Sequence, residues 1–169
     1  QDEFDRDPRG GKGIATLLRA YQAERRDWEE WSLWSDERYT RNLVACRESF
    51  ELLILCWKPG QQSPIHDHAG QNCWMSVLEG QLEEIHYSEP KSSVTAGQVR
   101  LEKGRAKSLA EGGVAFIEDS IAYHLTQPSG GARAVSMHLY AKPIDTCRIF
   151  CPNTGMPESV ELGYHSVRG

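Results

Sequence analysis

Apolar positions along this chain fall into two regimes, one with helical spacing and one with alternation. Over residues 13–34, Ile14, Leu17, Leu18 and Tyr21 recur at helical intervals, and Trp28, Trp31 and Trp34 extend a stripe every third residue. This predicts a short N-terminal helical region, preceded by a charged, glycine-containing start over residues 1–12 that should fray. Tryptophans so spaced read as packing against a core rather than as a binding box. From residue 38 onward the period shortens to two. In Tyr39-Thr-Arg41-Asn-Leu43-Val, the residues Tyr39, Arg41 and Leu43 share one face of an extended segment. Phe50-Glu-Leu-Leu-Ile-Leu-Cys-Trp57 is an almost unbroken apolar run, too short for a typical helix, and predicts a strand buried on both faces. Pro59-Gly60 ends it.

Further along, Cys73–Glu79 and Gln81–Tyr87 read as two strands joined near Gly80, and residues 88–100 as an exposed loop or short edge. Gly112-Gly113 marks a turn before Val114–Ile117, and another strand is expected through Ile121–Leu125, including His124. Pro128-Ser-Gly-Gly131 is a further turn. Ala134–Tyr140 alternates cleanly, with Ser136, His138 and Tyr140 on one face and Val135, Met137 and Leu139 on the other. The tail from Pro143 mixes proline, glycine and short apolar pieces. Roughly eight short strands spaced by turns predict an all-β sandwich or barrel over residues 38–169, with no internal repeat and no second domain.

Composition narrows the function classes. The 169 residues suffice for one domain with a sizeable core. Net charge is −5 with no basic tract, which argues against nucleic-acid or anionic-membrane partners. No apolar run reaches the length of a membrane span. The opening Gln1-Asp-Glu-Phe-Asp-Arg does not read as a signal peptide. Five cysteines, Cys46, Cys56, Cys73, Cys147 and Cys151, are odd in number and irregularly spaced, so a reducing cytoplasm is expected.

The chemistry concentrates in Gly60-Gln-Gln-Ser-Pro-Ile-His66-Asp-His68-Ala-Gly-Gln-Asn-Cys73-Trp-Met-Ser-Val-Leu-Glu-Gly80. In a strand, His66 and His68 would point to the same side and could reach one metal ion. A closed barrel could bring His124 round to join them. Three neutral imidazoles leave coordination positions open, which suits catalysis, and they could hold iron or zinc alike. Alone, His124 would be an ordinary core or surface histidine.

The spacing Gly60-x5-His66-x-His68-x4-Cys73-x6-Gly80 resembles the first cupin motif, with cysteine where most cupins carry a metal-binding glutamate. Gly113…His124 resembles the second motif, with Asp119 and Ile121 where proline and glycine are usual. Together with Tyr39-Thr-Arg41-Asn-Leu-Val, Ser136-x-His138-x-Tyr140 and Asp145-Thr-Cys147, these segments are similar to the cysteine dioxygenase family. The resemblance implies one cupin-type β-barrel domain, a jelly-roll-like sandwich, over residues 1–169. It implies mononuclear Fe(II) on His66, His68 and His124, with O2 as co-substrate and free L-cysteine oxidised to its sulfinic acid. It implies Arg41 as the anchor for the substrate carboxylate, with Tyr39 near the pocket. Tyr140 is the expected hydroxyl at the reacting atoms, with His138 and Ser136 orienting it, and Cys73 is expected to form a thioether cross-link to Tyr140. Cys147 could lie near the pocket or be a buried structural thiol, while His86 and His165 show no ligand pattern. Relatives acting on 3-mercaptopropionate carry glutamine at the position of Arg41, which favours cysteine. The chain departs from the family at Ala141-Lys142, where mammalian members have Ser-Pro, so the turn after Tyr140 must be built differently. A dioxygenase for another small thiol, or a non-catalytic metal-binding cupin, remains open, and a monomer is expected.

Overall fold

The computed structural model describes residues 12–89 and 101–167. Its elements run α1 (Lys12–Glu24), a 3-10 helix (Asp27–Trp31), then β1 (Thr40–Arg47), β2 (Phe50–Trp57), β3 (Ile65–His66), β4 (Cys73–Glu79), β5 (Gln81–Ser88) and β6 (Glu102–Ala110). The chain continues through β7 (Val114–Ile117), β8 (Tyr123–Pro128), β9 (Ala134–Tyr140), β10 (Thr146–Phe150), β11 (Pro157–Glu161) and β12 (Ser166–Val167). Among the described residues, the strands form two six-stranded sheets, ordered β12-β1-β2-β9-β4-β7 and β11-β10-β3-β8-β5-β6. The all-β, cupin-type expectation holds, but the sheets do not close into one hydrogen-bonded barrel among the described residues.

The alternation in β9 explains the layering. Val135, Met137 and Leu139 turn outward from the first sheet and are covered by Ile14 and Leu18 of α1 and by Trp28. On β2, Ile54 and Cys56 join that outer cluster, while Leu53, Leu55 and Trp57 pack between the sheets with Met75, Val77, Leu82 and Leu109. The strand read as buried on both faces is therefore central, with apolar neighbours on each side.

The helical region expected over residues 13–34 is shorter than its periodicity suggested. α1 stops at Glu24, and a 3-10 turn follows. A spacing of three is the period of a 3-10 helix, so Trp28 and Trp31 stay on one side without a continued α-helix. Trp28 is buried, and Trp31 and Trp34 pack on the same cluster, as expected of packing residues. The frayed start expected over residues 1–12 and the loop expected over residues 88–100 fall largely outside the described residues.

Three further differences concern strands. β6 was not anticipated: Glu102–Ala110 is charged and exposed over nearly its whole length, as befits a sheet edge, so no apolar alternation marks it. The expected strand through Ile121–Leu125 starts later, at Tyr123, and continues to Pro128. The tail holds β10, β11 and β12, short strands whose pairing with β3 and β1 is long-range and leaves little local pattern.

Candidate active site

Strand pairing between β3 and β8 sets His66 directly opposite His124. Residues so paired send their side chains to the same face, here the space between the sheets. His68 arrives differently from the strand alternation expected of it, because β3 ends at His66. Beyond it, Ala69 and Gly70 adopt left-handed backbone, with φ of 50° and 79°. Asp119 grips this loop, accepting from the His68 amide at 2.8 Å and the Gly70 amide at 2.6 Å. Burial opposes the charge on Asp119, but the His68 ring and these amides outweigh it, and its pKa falls below the usual carboxylate value.

The three imidazoles then converge. Their candidate ligand atoms lie within 4.8 Å of one another, and no other such group occurs among the described residues. His68 Nε2 and His124 Nε2 are 3.1 Å apart. Nδ1 of His66 donates to the Pro64 carbonyl at 3.0 Å, and Nδ1 of His124 donates to Glu84 Oε1 at 2.8 Å. These bonds commit the outer nitrogens and leave Nε2 lone pairs facing inward. Asp119 Oδ1 stands 3.7 Å from the His68 Nδ1. Burial, then the neighbouring His68, pushes His66 down to about 3, and burial with His66 and His68 takes His124 well below its ordinary value. Three convergent imidazoles, two of them with the outer nitrogen hydrogen-bonded and the third with Asp119 beside it, fit a divalent metal ion.

Opposite the histidines, the first sheet presents donors. Arg41 on β1 is largely buried, and its Nε and Nη2 have no hydrogen-bond partner. Tyr39 stacks on Trp57 with ring centroids 4.5 Å apart and planes 10° apart. Trp57 Nε1 donates to Ser136 Oγ at 2.9 Å, and that hydroxyl lies 3.0 Å from His138 Nε2. His138 Nδ1 is 3.9 Å from Cys73 Sγ. Burial and the Arg41 charge push His138 down to about 3. Cys73 of β4 and Tyr140 of β9 are direct cross-strand partners. Burial raises both the Cys73 thiol and the Tyr140 phenol, so both stay protonated at neutral pH. The Ser136–His138–Tyr140 face is thus interior, on a central strand. The turn after Tyr140 places Lys142 at φ 82°, held by Ala141 N to Asn72 O and Lys142 N to Ser49 O.

The three histidines, Arg41, Tyr39, Trp57, His138 and Tyr140 line one cavity of about 250 Å³, with Cys147 and Leu162 on its wall. Cys147 is buried as well as cavity-lining, and burial pushes its thiol up to about 11. Two carboxylates that matter were given no role from the sequence, although Asp119 stood out as a departure from the second cupin motif. Glu84 shares the phase of Leu82 on β5, so an inward-facing carboxylate was legible there. Asp119 sits in a loop with no periodicity to point to it. His86 is paired with His124 across the strands but lies beside Glu84, 3.5 Å away, rather than with the three convergent rings.

The family model for cysteine dioxygenase type I matches residues 2–152. The chain belongs to that family. A cysteine dioxygenase type 1 of Danio rerio is 36% identical over 98% of this chain and 82% of its own length. The human cysteine dioxygenase type 1 is 35% identical over 92% of this chain and 77% of its own. A Klebsiella pneumoniae protein with a double-stranded β-helix domain shares the fold at TM-score 0.53 and 15% identity, covering 82% of this chain and 91% of its own. As a cysteine dioxygenase family member, the chain is a thiol dioxygenase, and its three-histidine cluster fits the site such an enzyme requires. No helix among the described residues is long and apolar enough to cross a membrane.

Proposed function

We propose that this thiol dioxygenase is Fe(II)-dependent and converts free L-cysteine and O2 to cysteine sulfinic acid. The observation that carries the reading is the pairing, across one small cavity, of three convergent imidazoles with an arginine whose buried Nε and Nη2 lack hydrogen-bond partners. His66, His68 and His124 would hold the iron, which when bound supplies the redox chemistry that brings thiolate and O2 together. Three neutral imidazoles give no negative charge of their own, which leaves room for an anionic thiolate. Choosing iron over zinc rests on kinship, since three imidazoles hold either. L-Cysteine as substrate is likewise supported by the relatives' names.

The chain's own groups then have definite tasks. Arg41 takes the substrate carboxylate in two parallel charge-assisted bonds, and Tyr39, stacked on Trp57, walls that end. His138, held by Ser136 with Trp57 behind it, keeps its Nδ1 edge toward Cys73. Tyr140, neutral because buried, keeps its proton for donation to a reacting oxygen. Cys73 faces Tyr140 in register for a thioether cross-link. The five free cysteines suit a reducing cytoplasm, and residues 1–169 work on this reading as one monomeric cupin domain.

Oxygen uptake after anaerobic iron loading, run in parallel with L-cysteine, 3-mercaptopropionate and cysteamine, tests this. L-Cysteine should give the highest kcat/KM, because cysteamine leaves Arg41 unpaired. A higher value on cysteamine would remove cysteine as the substrate. No uptake by the iron-loaded protein with any of the three would leave a non-catalytic metal-binding cupin.

A further inference from the structure

Arg41 has a second neighbour besides the cavity. On β2, Glu51 shares the phase of Leu53 and Leu55, and Leu55 is the cross-strand partner of Arg41. Glu51 is therefore an inward carboxylate in an otherwise apolar strand, and it is fully buried, at 0% exposure. A buried carboxylate is costly unless partnered, so its partners are informative. Its Oε2 lies 3.6 Å from Arg41 Nη2, and its Oε1 accepts a short hydrogen bond from the Tyr164 hydroxyl.

Tyr164 is itself tied to the strand that carries Arg41. The next residue's amide, His165 N, donates to the Arg41 carbonyl at 2.7 Å, and β12 pairs alongside β1 through Asn42–Ser166 and Leu43–Val167. Phenol, carboxylate and guanidinium thus form a connected row reaching the cavity wall. The row is not a closed fork. Glu51 Oε2, Arg41 Nε and Arg41 Nη2 all lack a hydrogen bond. Glu51 is near enough to attract the guanidinium, yet the arginine's donors remain for another carboxylate. A guanidinium has five donors in one plane, enough to serve two acids from two sides.

We infer that Glu51, clamped by Tyr164, is a positioning residue that presets the Arg41 guanidinium and so biases the enzyme toward thiols bearing a carboxylate. The inference rests on the assignment of Arg41 as the carboxylate anchor. Presetting works by reducing the side-chain freedom that binding would otherwise remove.

The test is steady-state oxygen uptake by iron-loaded wild type, Glu51→Gln, Tyr164→Phe and Arg41→Ala on L-cysteine and cysteamine. Cysteamine is read as a substrate or, without turnover, as a competitive inhibitor. Glu51→Gln keeps volume and removes charge. It should raise KM for L-cysteine about tenfold, with kcat within about twofold, and leave the cysteamine constant unmoved. Tyr164→Phe, at a half-exposed residue that should tolerate the change, moves the same ratio by less. In Arg41→Ala the selectivity is already lost, and adding Glu51→Gln has no further effect. An unchanged or lowered KM for L-cysteine in Glu51→Gln overturns the inference. So does a parallel loss on both thiols, which is what a merely structural role would give. If Arg41→Ala itself leaves KM for L-cysteine unchanged, the anchor assignment falls and this inference with it. A changed Arg41→Ala beside an unchanged Glu51→Gln sinks the inference alone.

Discussion

His124 and His138 are both buried imidazoles inside strands, and both are held neutral by burial. They face the same cavity from opposite sheets. The difference lies in the partner of the outer nitrogen. His124 Nδ1 meets the Glu84 carboxylate, which can only accept, so the proton stays there and the inner nitrogen offers a lone pair. His138 Nε2 meets the Ser136 hydroxyl, whose oxygen already accepts from Trp57. With the one Ser136 O–H given to Nε2, the His138 proton sits on Nδ1, on the side of Cys73 Sγ. A carboxylate behind an imidazole leaves a lone pair that could serve a metal; an indole–hydroxyl relay behind one leaves an N–H. The contrast extends to the two sheets, one lining the cavity with lone pairs and the other with N–H and O–H groups.

The largest expected effect breaks the comparison at its root. His124→Ala should abolish metal retention and, with it, dioxygenase activity. His138→Ala should retain the metal and lower kcat by about ten- to a hundredfold. Metal analysis after anaerobic reconstitution, followed by oxygen uptake, reads both. Equal metal loss in the two variants would erase the distinction between the sheets. Glu84 belongs with His124 in this respect, since it fixes the ring whose lone pair is used.

Much of this contrast was legible in the sequence, and the reasons for the rest are physical. Strand alternation sufficed for β9, where Ser136, His138 and Tyr140 share the inner face, and a short unbroken apolar run sufficed for β2. Arg41 with Tyr39, and Cys73 with Tyr140, were named only on the family pattern, and the fold sets Cys73 opposite Tyr140 and brings Arg41 and Tyr39 to one cavity. The approach of His68 did not follow from alternation, because a left-handed turn and Asp119 position it, and turn geometry leaves no period. Glu51 stood in plain view as a lone acid in an apolar run, but its partner Tyr164 is brought in by a short strand from the far end of the chain. The second sheet's edge, β6, is exposed at every position but Leu109, and the strand signal is apolar alternation.

A smaller effect sharpens the comparison by pH. His66 and His138 each have a folded pKa of about 3 against an ordinary 6.5. Between those values the unfolded chain takes up protons that the native protein refuses. Stability is therefore complete above the unfolded value and is lost as pH falls toward the folded one. The metal-free protein should lose stability, on the order of a few kcal/mol, between about pH 7 and about pH 4.5. Urea midpoints at the two pH values measure this. His138→Gln should flatten part of that slope without touching metal binding at neutral pH. A slope unchanged by the substitution would mean that His138 is not refused its proton.

The smallest effect concerns the one place where the donor sheet acts on itself. Cys73 and Tyr140 are directly opposed across β4 and β9, and His138 Nδ1 lies 3.9 Å from the sulfur. Joining sulfur to a ring carbon of Tyr140 forms one C–S bond and removes the thiol hydrogen and one ring hydrogen, with O2 as the oxidant. Protein turned over aerobically should gain a species whose intact mass is lower by two hydrogens. Cys73→Ser should show none and lose only a few-fold in kcat, since Tyr140 remains neutral and buried without the bridge. The ordering matters more than the size of the loss. If Cys73→Ser were as damaging as His138→Ala, the cross-link, rather than the Trp57–Ser136–His138 relay, would be what holds the phenol in place. A fully active preparation with no mass change would mean that the strand register alone, with the left-handed turn at Lys142 closing behind it, positions Tyr140 well enough for the reaction.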